Sequence, residues 1–322
     1  MTPAPPVTYG IMASRLNGQR IGIEPVEELV WLESLGVPRV WLPHLLGLDP
    51  LPVFAAAANR TSVIRFGTAV TPTWPRHPLA LMQEALAVQA VSHGRLSLGV
   101  GVSDVPTIQD VHGLQWRDPI GQLREYLTVC TQARTGQVDF HGNHYRVHAA
   151  LDELPPQRLP IIASGLNPRA IETAAQLADG LITLLAPPSY LTQVIRPRIA
   201  ARLSRQDFSL VACVPVIVTG KTHEAASAAQ KVYGPFWGYT GYASMLRAAR
   251  CNDVTDVAVI GDEDTVMTEL ARYAAAGVTE IVAAPLPVPE DPAAIERTIR
   301  FTAELATRNR PSRTPDSSPR FS

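Results

Sequence analysis

Eight short runs of aliphatic and β-branched residues recur along the chain, separated by longer segments in which apolar residues return every three or four positions. Parallel strands joined by crossover helices give this alternation, because a strand covered on both faces is apolar throughout and its covering helix needs only one apolar face. The runs are read at residues 8–11, 39–42, 63–70, 95–98, 160–163, 181–184, 210–216 and 280–283. Eight units predict an α/β fold closed into a (β/α)8 TIM barrel, which holds roughly 250 residues or more as one domain. Residues 1–307 are read as that domain, and the polar, proline-rich stretch 308–322 as a disordered tail.

Helix punctuation agrees with the strand spacing. Pro25 stands near the start of the first helix and Gly36 just beyond its end, while Asp118-Pro119 and Asn167-Pro168 open the fourth and fifth. Val26, Leu29, Val30, Leu32 and Leu35 return at helical spacing and offer one face to a barrel wall. Two segments break the rhythm. Residues 137–158 read as a hairpin turning at Gly142-Asn143, and the stretch around residues 233–239 is aromatic and loop-like. Both are insertions suited to roofing the carboxyl ends of the strands, where barrel sites gather.

A formal net charge of −1 gives no electrostatic case for nucleic acid or anionic lipid, so a small-molecule partner is expected. Cys130, Cys213 and Cys251 are too few and too scattered for a disulfide framework or a zinc site. With no signal-like start and no apolar run of about 18 residues, the reading is a soluble cytoplasmic protein without membrane contact.

His44 stands just past the second strand in Trp41-Leu42-Pro43-His44, where an imidazole can move a proton near neutral pH; a loop histidine bonded to backbone is the plainer alternative. Gly99-Val100-Gly101-Val102-Ser103-Asp104 lacks the third glycine and the acidic residue of a dinucleotide fingerprint, which argues against nicotinamide binding there. His141, His144 and His148 have no acidic or cysteine partner at ligand spacing, and no metal is expected. Trp74, Arg76 and His77 either face the pocket or, for Arg76, pair on the surface. Trp237 and Tyr239 either line the substrate side or pack.

The chain resembles the luciferase-like monooxygenase superfamily, in its branch of oxidoreductases dependent on the deazaflavin coenzyme F420. The resemblance is carried by residues 66–78 after the third strand, by Gly94-Arg95-Leu96-Ser97-Leu98-Gly99-Val100-Gly101, by Arg124-Glu125-Tyr126-Leu127 and by Phe140-His141-Gly142-Asn143-His144-Tyr145. Ala163-Ser164-Gly165-Leu166-Asn167-Pro168-Arg169 and Ala178-Asp179-Gly180 extend it, so that it spans residues 10–284.

The resemblance implies a bulge with a non-proline cis peptide between Ala69 and Val70, beside Thr68, pressed against the back of the coenzyme ring. It implies further ring contacts from Pro43, His44, Gly101 and Val102. The coenzyme phosphate falls to Ala163, Ser164, Gly165, Leu166 and Asn167, at a helix amino terminus whose unsatisfied N–H groups and dipole favour anions. In the family's sugar-phosphate dehydrogenases a glutamate follows the second glycine; Val102 takes that place here, which argues against sugar-phosphate oxidation. The expected activity is hydride transfer between F420 and a small organic substrate, with His44 handling the proton. Two alternatives stand beside it: an FMN-dependent monooxygenase using molecular oxygen, and a non-catalytic deazaflavin-binding protein. A homodimer is also implied.

Overall fold

In a computed structural model, residues 7–13, 24–203 and 207–309 are described. The strands are β1 (Thr8–Met12), β2 (Arg39–Leu42), β3 (Arg65–Thr68), β4 (Thr71–Pro72), β5 (Leu96–Gly101), β6 (Gln137–His141), β7 (Arg146–Ala150), β8 (Ile161–Ser164), β9 (Gly180–Leu184), β10 (Ser209–Val218), β11 (Val259–Gly261) and β12 (Glu280–Ala284). The α-helices are α1 (Pro25–Ser34), α2 (Pro50–Ala58), α3 (Pro78–Val91), α4 (Pro119–Ala133), α5 (Pro168–Leu177), α6 (Pro188–Tyr190), α7 (Arg196–Ala200), α8 (Thr222–Tyr233), α9 (Thr240–Ala249), α10 (Glu263–Ala275) and α11 (Ala294–Arg308). None of these helices is long and apolar enough to cross a membrane. Arg308 therefore ends a helix, and the tail expected at 308–322 lies, from residue 310 onward, outside the described residues.

The cylinder closes. Strands run in parallel in the order β1-β2-β3-β5-β8-β9-β10-β12, and β12 pairs back to β1 with Thr8 opposite Glu280. Two short strands lie outside the eight-strand reading. β4 continues β3 against β5, and β11 adds to the carboxyl half of the ten-residue β10. Met12, Trp41, Ile162, Ile182, Val211 and Val282 fill the interior, while the alternate side chains pack outward beneath the helices. Trp41 is the largest of these fillers, and Gly67 accommodates it: a Cβ there would stand 2.3 Å from the indole. Its Nε1 donates to Glu280 Oε1 at 2.7 Å, which satisfies a polar atom inside an apolar plug. Ala69, Val70 and Leu184 cover this plug at the carboxyl ends of their strands and are only half-buried.

The third strand departs from its sequence reading at both ends. It begins at Arg65 rather than residue 63, because the Glu33 carboxylate at the end of α1 takes the N–H groups of Ser62, Val63 and Ile64 at 2.6–3.1 Å before they can join a ladder. It breaks after Thr68, where Ala69–Val70 is a cis non-proline peptide, as the resemblance implied. β5 makes room for the break: a Cβ on Gly99 would lie 1.9 Å from the Thr68 carbonyl oxygen. Thr68 Oγ1 donates to the Gly99 carbonyl at 2.7 Å and accepts the Gly99 N–H at 2.8 Å, so the hydroxyl replaces the missing ladder bonds.

The hairpin is β6 paired antiparallel with β7, but its loop covers residues 142–145 and is wider than the Gly142-Asn143 turn expected. Glu125 on α4 explains the width, accepting the N–H groups of Asn143, His144 and Tyr145 at 2.7–3.1 Å. The aromatic stretch after α8 forms a 3-10 turn over residues 234–238 and leads into α9.

Candidate active site

Three loops at the carboxyl ends of β2, β3 and β8 build the site, with β5 between the last two. The first carries His44, whose side chain is 17% exposed. Its Nδ1 lies 3.5 Å from Thr71 Oγ1 and 3.9 Å from Asp49 Oδ1. Burial pulls its pKa below the ordinary histidine value. Asp49 opposes that pull, and the charges of Arg76 and His112 add to it. His44 is therefore neutral at pH 7 and can either accept or donate a proton. Burial also opposes ionisation of Asp49, but the Arg76 hydrogen bond at 2.5 Å, the Leu51 N–H at 3.0 Å and the Arg76 charge help to outweigh it and keep the carboxyl below its usual range. Arg76 thus turns inward to Asp49 as well as outward to Glu84, which it meets at 2.7 Å.

The second loop is the break in the third strand. Ala69 and Val70 present a half-buried apolar platform above the barrel plug. Beyond it Thr71 and Thr73 turn inward and are buried. Thr73 donates to Gln122 at 2.8 Å, and Gln122 donates to the Tyr145 hydroxyl at 2.7 Å, which ties the strand break to α4 and the hairpin. Burial pushes the Tyr145 hydroxyl up to about 12, against the lowering effect of that bond, so it stays protonated.

The third loop joins β8 to α5. Asn167 caps α5 by accepting the Ala170 N–H at 2.9 Å, with Pro168 at the first helical position. The N–H groups of Gly165, Leu166 and Asn167 find no acceptor among the described residues. A Cβ on Gly165 would come 2.7 Å from that of Ala170, so the turn stays tight against the helix. Gly101 connects this loop to the platform: its would-be Cβ stands 2.1 Å from Ser164 Oγ and 2.8 Å from Val70 Cγ2. Platform and amide cradle are therefore contiguous.

Most of the residues singled out from sequence converge on this mouth. Val70, Gly101 and Ser164 meet directly, Pro43 leads into His44, and Val102 is half-buried against the core. Two have side chains turned elsewhere. Ala163 packs beneath the helices with no exposure, and the Thr68 hydroxyl is spent on Gly99, so Thr68 shapes the bulge. Trp74 stacks on Trp116 at 5.6 Å, His77 caps α3 and meets Tyr145 edge-on at 5.5 Å, Trp237 packs half-buried against the core, and half-buried Tyr239 meets Phe236 edge-on at 5.7 Å. Asp139 faces both His141 and His148, at 3.7 and 3.5 Å, an acidic neighbour two positions before His141 that the sequence reading did not count. All three are strongly exposed and His144 turns instead to Asp118; no group of three ligating side chains forms among the described residues. Sequence reasoning missed Asp49, Thr71, Thr73 and Gln122. Asp49-Pro50 repeats the cap-then-proline signature seen at Asp118 and Asn167 and was the one available signal.

Residues 23–280 match the luciferase-like monooxygenase family, and the chain belongs to it. A putative coenzyme F420-dependent oxidoreductase of Mycobacterium tuberculosis is 26% identical over 304 residues, covering 78% of this chain and 87% of the relative. Among solved structures, an F420-dependent secondary alcohol dehydrogenase in complex with an F420-acetone adduct superposes with a TM-score of 0.77. It is 17% identical, over 95% of this chain and 100% of that one. The oxygenating constituent of 3,6-diketocamphane monooxygenase from Pseudomonas putida, in complex with FMN, gives 0.72 at 17% identity, over 94% and 98%. At these identities the two structures establish the barrel alone.

Proposed function

We propose that the protein is an F420-dependent oxidoreductase that transfers a hydride between the deazaflavin and a small organic substrate. The observation that carries this reading is the junction of Val70, Gly101 and Ser164, which sets an apolar platform beside a row of N–H groups, at a helix start, that have no acceptor among the described residues. A flat ring with an anionic stalk fits such a surface. Ala69 and Val70 would back the ring, with Pro43, His44, Gly101 and Val102 around it. Ser164, Gly165, Leu166 and Asn167 would hold the phosphate, and the backbone of Ala163 would lead into that cradle. When bound, F420 supplies a two-electron hydride carrier.

The chain's own contribution is to bind, orient and move a proton. His44, neutral near pH 7, takes the proton of a substrate hydroxyl in one direction and returns it to a carbonyl oxygen in the other. Val102 puts no carboxylate after the second glycine, which disfavours a sugar phosphate. Val102 packs against the core, consistent with an apolar wall there.

Titration of the purified protein with F420 and with FMN, followed by turnover of His44→Ala, tests the proposal. F420 should bind more tightly than FMN, and the variant should lose turnover while its F420 affinity changes only a few-fold. Tighter FMN binding with oxygen consumption would replace the reading by a monooxygenase; F420 binding without turnover of alcohols, ketones or enones would replace it by a binding protein. A reducing cytoplasm suits three free cysteines, of which Cys130 and Cys213 are buried. The homodimer implied by the family is checked by sizing in solution.

A further inference from the structure

His44 is held from one side. Its Nδ1 faces Thr71 Oγ1 at 3.5 Å and Asp49 Oδ1 at 3.9 Å, while Nε2 has no hydrogen-bond partner among the described residues. Asp49 is fixed at both oxygens: Oδ1 accepts the Leu51 N–H at 3.0 Å as the cap of α2, and Oδ2 accepts from Arg76 at 2.5 Å. Arg76 is itself anchored by Glu84 on α3 at 2.7 Å. A chain of contacts from α3 to α2 therefore ends at the imidazole. An ionised carboxylate only accepts hydrogen bonds, so beside Nδ1 it favours the tautomer protonated there and leaves the lone pair on Nε2.

We propose that Asp49, clamped by Arg76, is the positioning residue that fixes the His44 tautomer and turns Nε2 free for proton transfer. This rests on the role given to His44 above but not on which coenzyme binds. The plainer account makes Asp49 a helix cap and nothing more, as Asn167 and Asp262 are for α5 and α10. Asparagine caps a helix about as well as aspartate, so Asp49→Asn keeps the cap while removing the charge and the acceptor for Arg76.

The test reads the ring nitrogens of His44 by long-range proton–nitrogen correlation in coenzyme-free protein, with the signals assigned by comparison with His44→Gln. The wild type should show the proton on Nδ1. In Asp49→Asn the proton should redistribute toward Nε2 and the titration midpoint should fall. Among the described residues Asp49 is the charge that raises that midpoint, and Arg76 and His112 lower it. Turnover should drop at least about tenfold in kcat with KM for F420 within a few-fold, because a His44 protonated on Nε2 cannot accept the substrate proton there. A wild-type proton on Nε2, or a variant with the wild-type tautomer and midpoint, overturns the proposal.

If Asp49→Asn fails to fold, Arg76→Met, which leaves the cap intact, should mix the tautomers by freeing the carboxylate. An unmixed ratio there is equally fatal. Failure of F420 to bind while the Asp49-sensitive tautomer persists would overturn the coenzyme reading alone. F420 binding beside an Asp49-insensitive His44 would do the reverse.

Discussion

Asp179 shows how much one residue can organise. It stands in the Ala178-Asp179-Gly180 step that sequence matching singled out, and its carboxylate receives Arg134 and Arg158, each at 2.5 Å, and the Ile161 N–H at 2.9 Å. These contacts join α4, the segment before β8 and the start of β9. The motif is therefore structural, although linear resemblance cannot separate that from catalysis. Burial opposes ionisation of Asp179, but the Ile161 N–H and the two arginines outweigh it and lower its pKa. A carboxylate with a folded pKa below the unfolded one stabilises fully above the unfolded value and loses that contribution as pH falls through the folded one. Asp179→Asn leaves the largely buried Arg134 guanidinium without its counter-charge. It should cost about 3–5 kcal/mol at pH 7 and flatten the loss of stability below about pH 4. Denaturant unfolding at both pH values measures this; a variant as stable as wild type at pH 7 would show that the arginines find other partners.

Strands were readable as elements from local pattern; the break at Ala69-Val70 came from the family resemblance alone, and the late start of the third strand from neither. The run at 63–70 has the composition of one buried strand, yet Glu33 takes its first two N–H groups together with that of Ser62, and the bulge divides its end. The hairpin turn was placed two residues short for the same reason, since Glu125 reaches it from 18 to 20 positions away. Local pattern is blind to a carboxylate arriving from another element. The glycines of β5 were visible but fitted no dinucleotide fingerprint, and their purpose emerges only across the strand pair. Gly99→Ala would set a methyl 1.9 Å from the Thr68 carbonyl and should cost about 3 kcal/mol, whereas Gly47→Ala, with open space around it, should stay within about 0.5 kcal/mol. Thermal melts of the two variants check this, and equal melting temperatures would contradict the account of the bulge.

For the whole molecule, eight alternating units sufficed to foresee the barrel because a parallel strand cannot return without a crossover and the closing pairs of β12 with β1 and of β9 with β10 follow from the count. Less of the site was legible. His44, the platform and the cradle follow strand ends in linear order, but the partners of His44 come from a helix cap and the short strand β4, which meet it only in the folded chain. What unites these parts is the proposed coenzyme, lying from the broken third strand to the start of α5. A crystal structure of the protein with F420 tests that most directly. The ring should rest on Ala69 and Val70, with the phosphate within hydrogen-bond reach of the N–H groups of Gly165 to Asn167 and the opposite ring face turned toward His44. A coenzyme bound away from the strand break, or a phosphate held by any other helix, would contradict it.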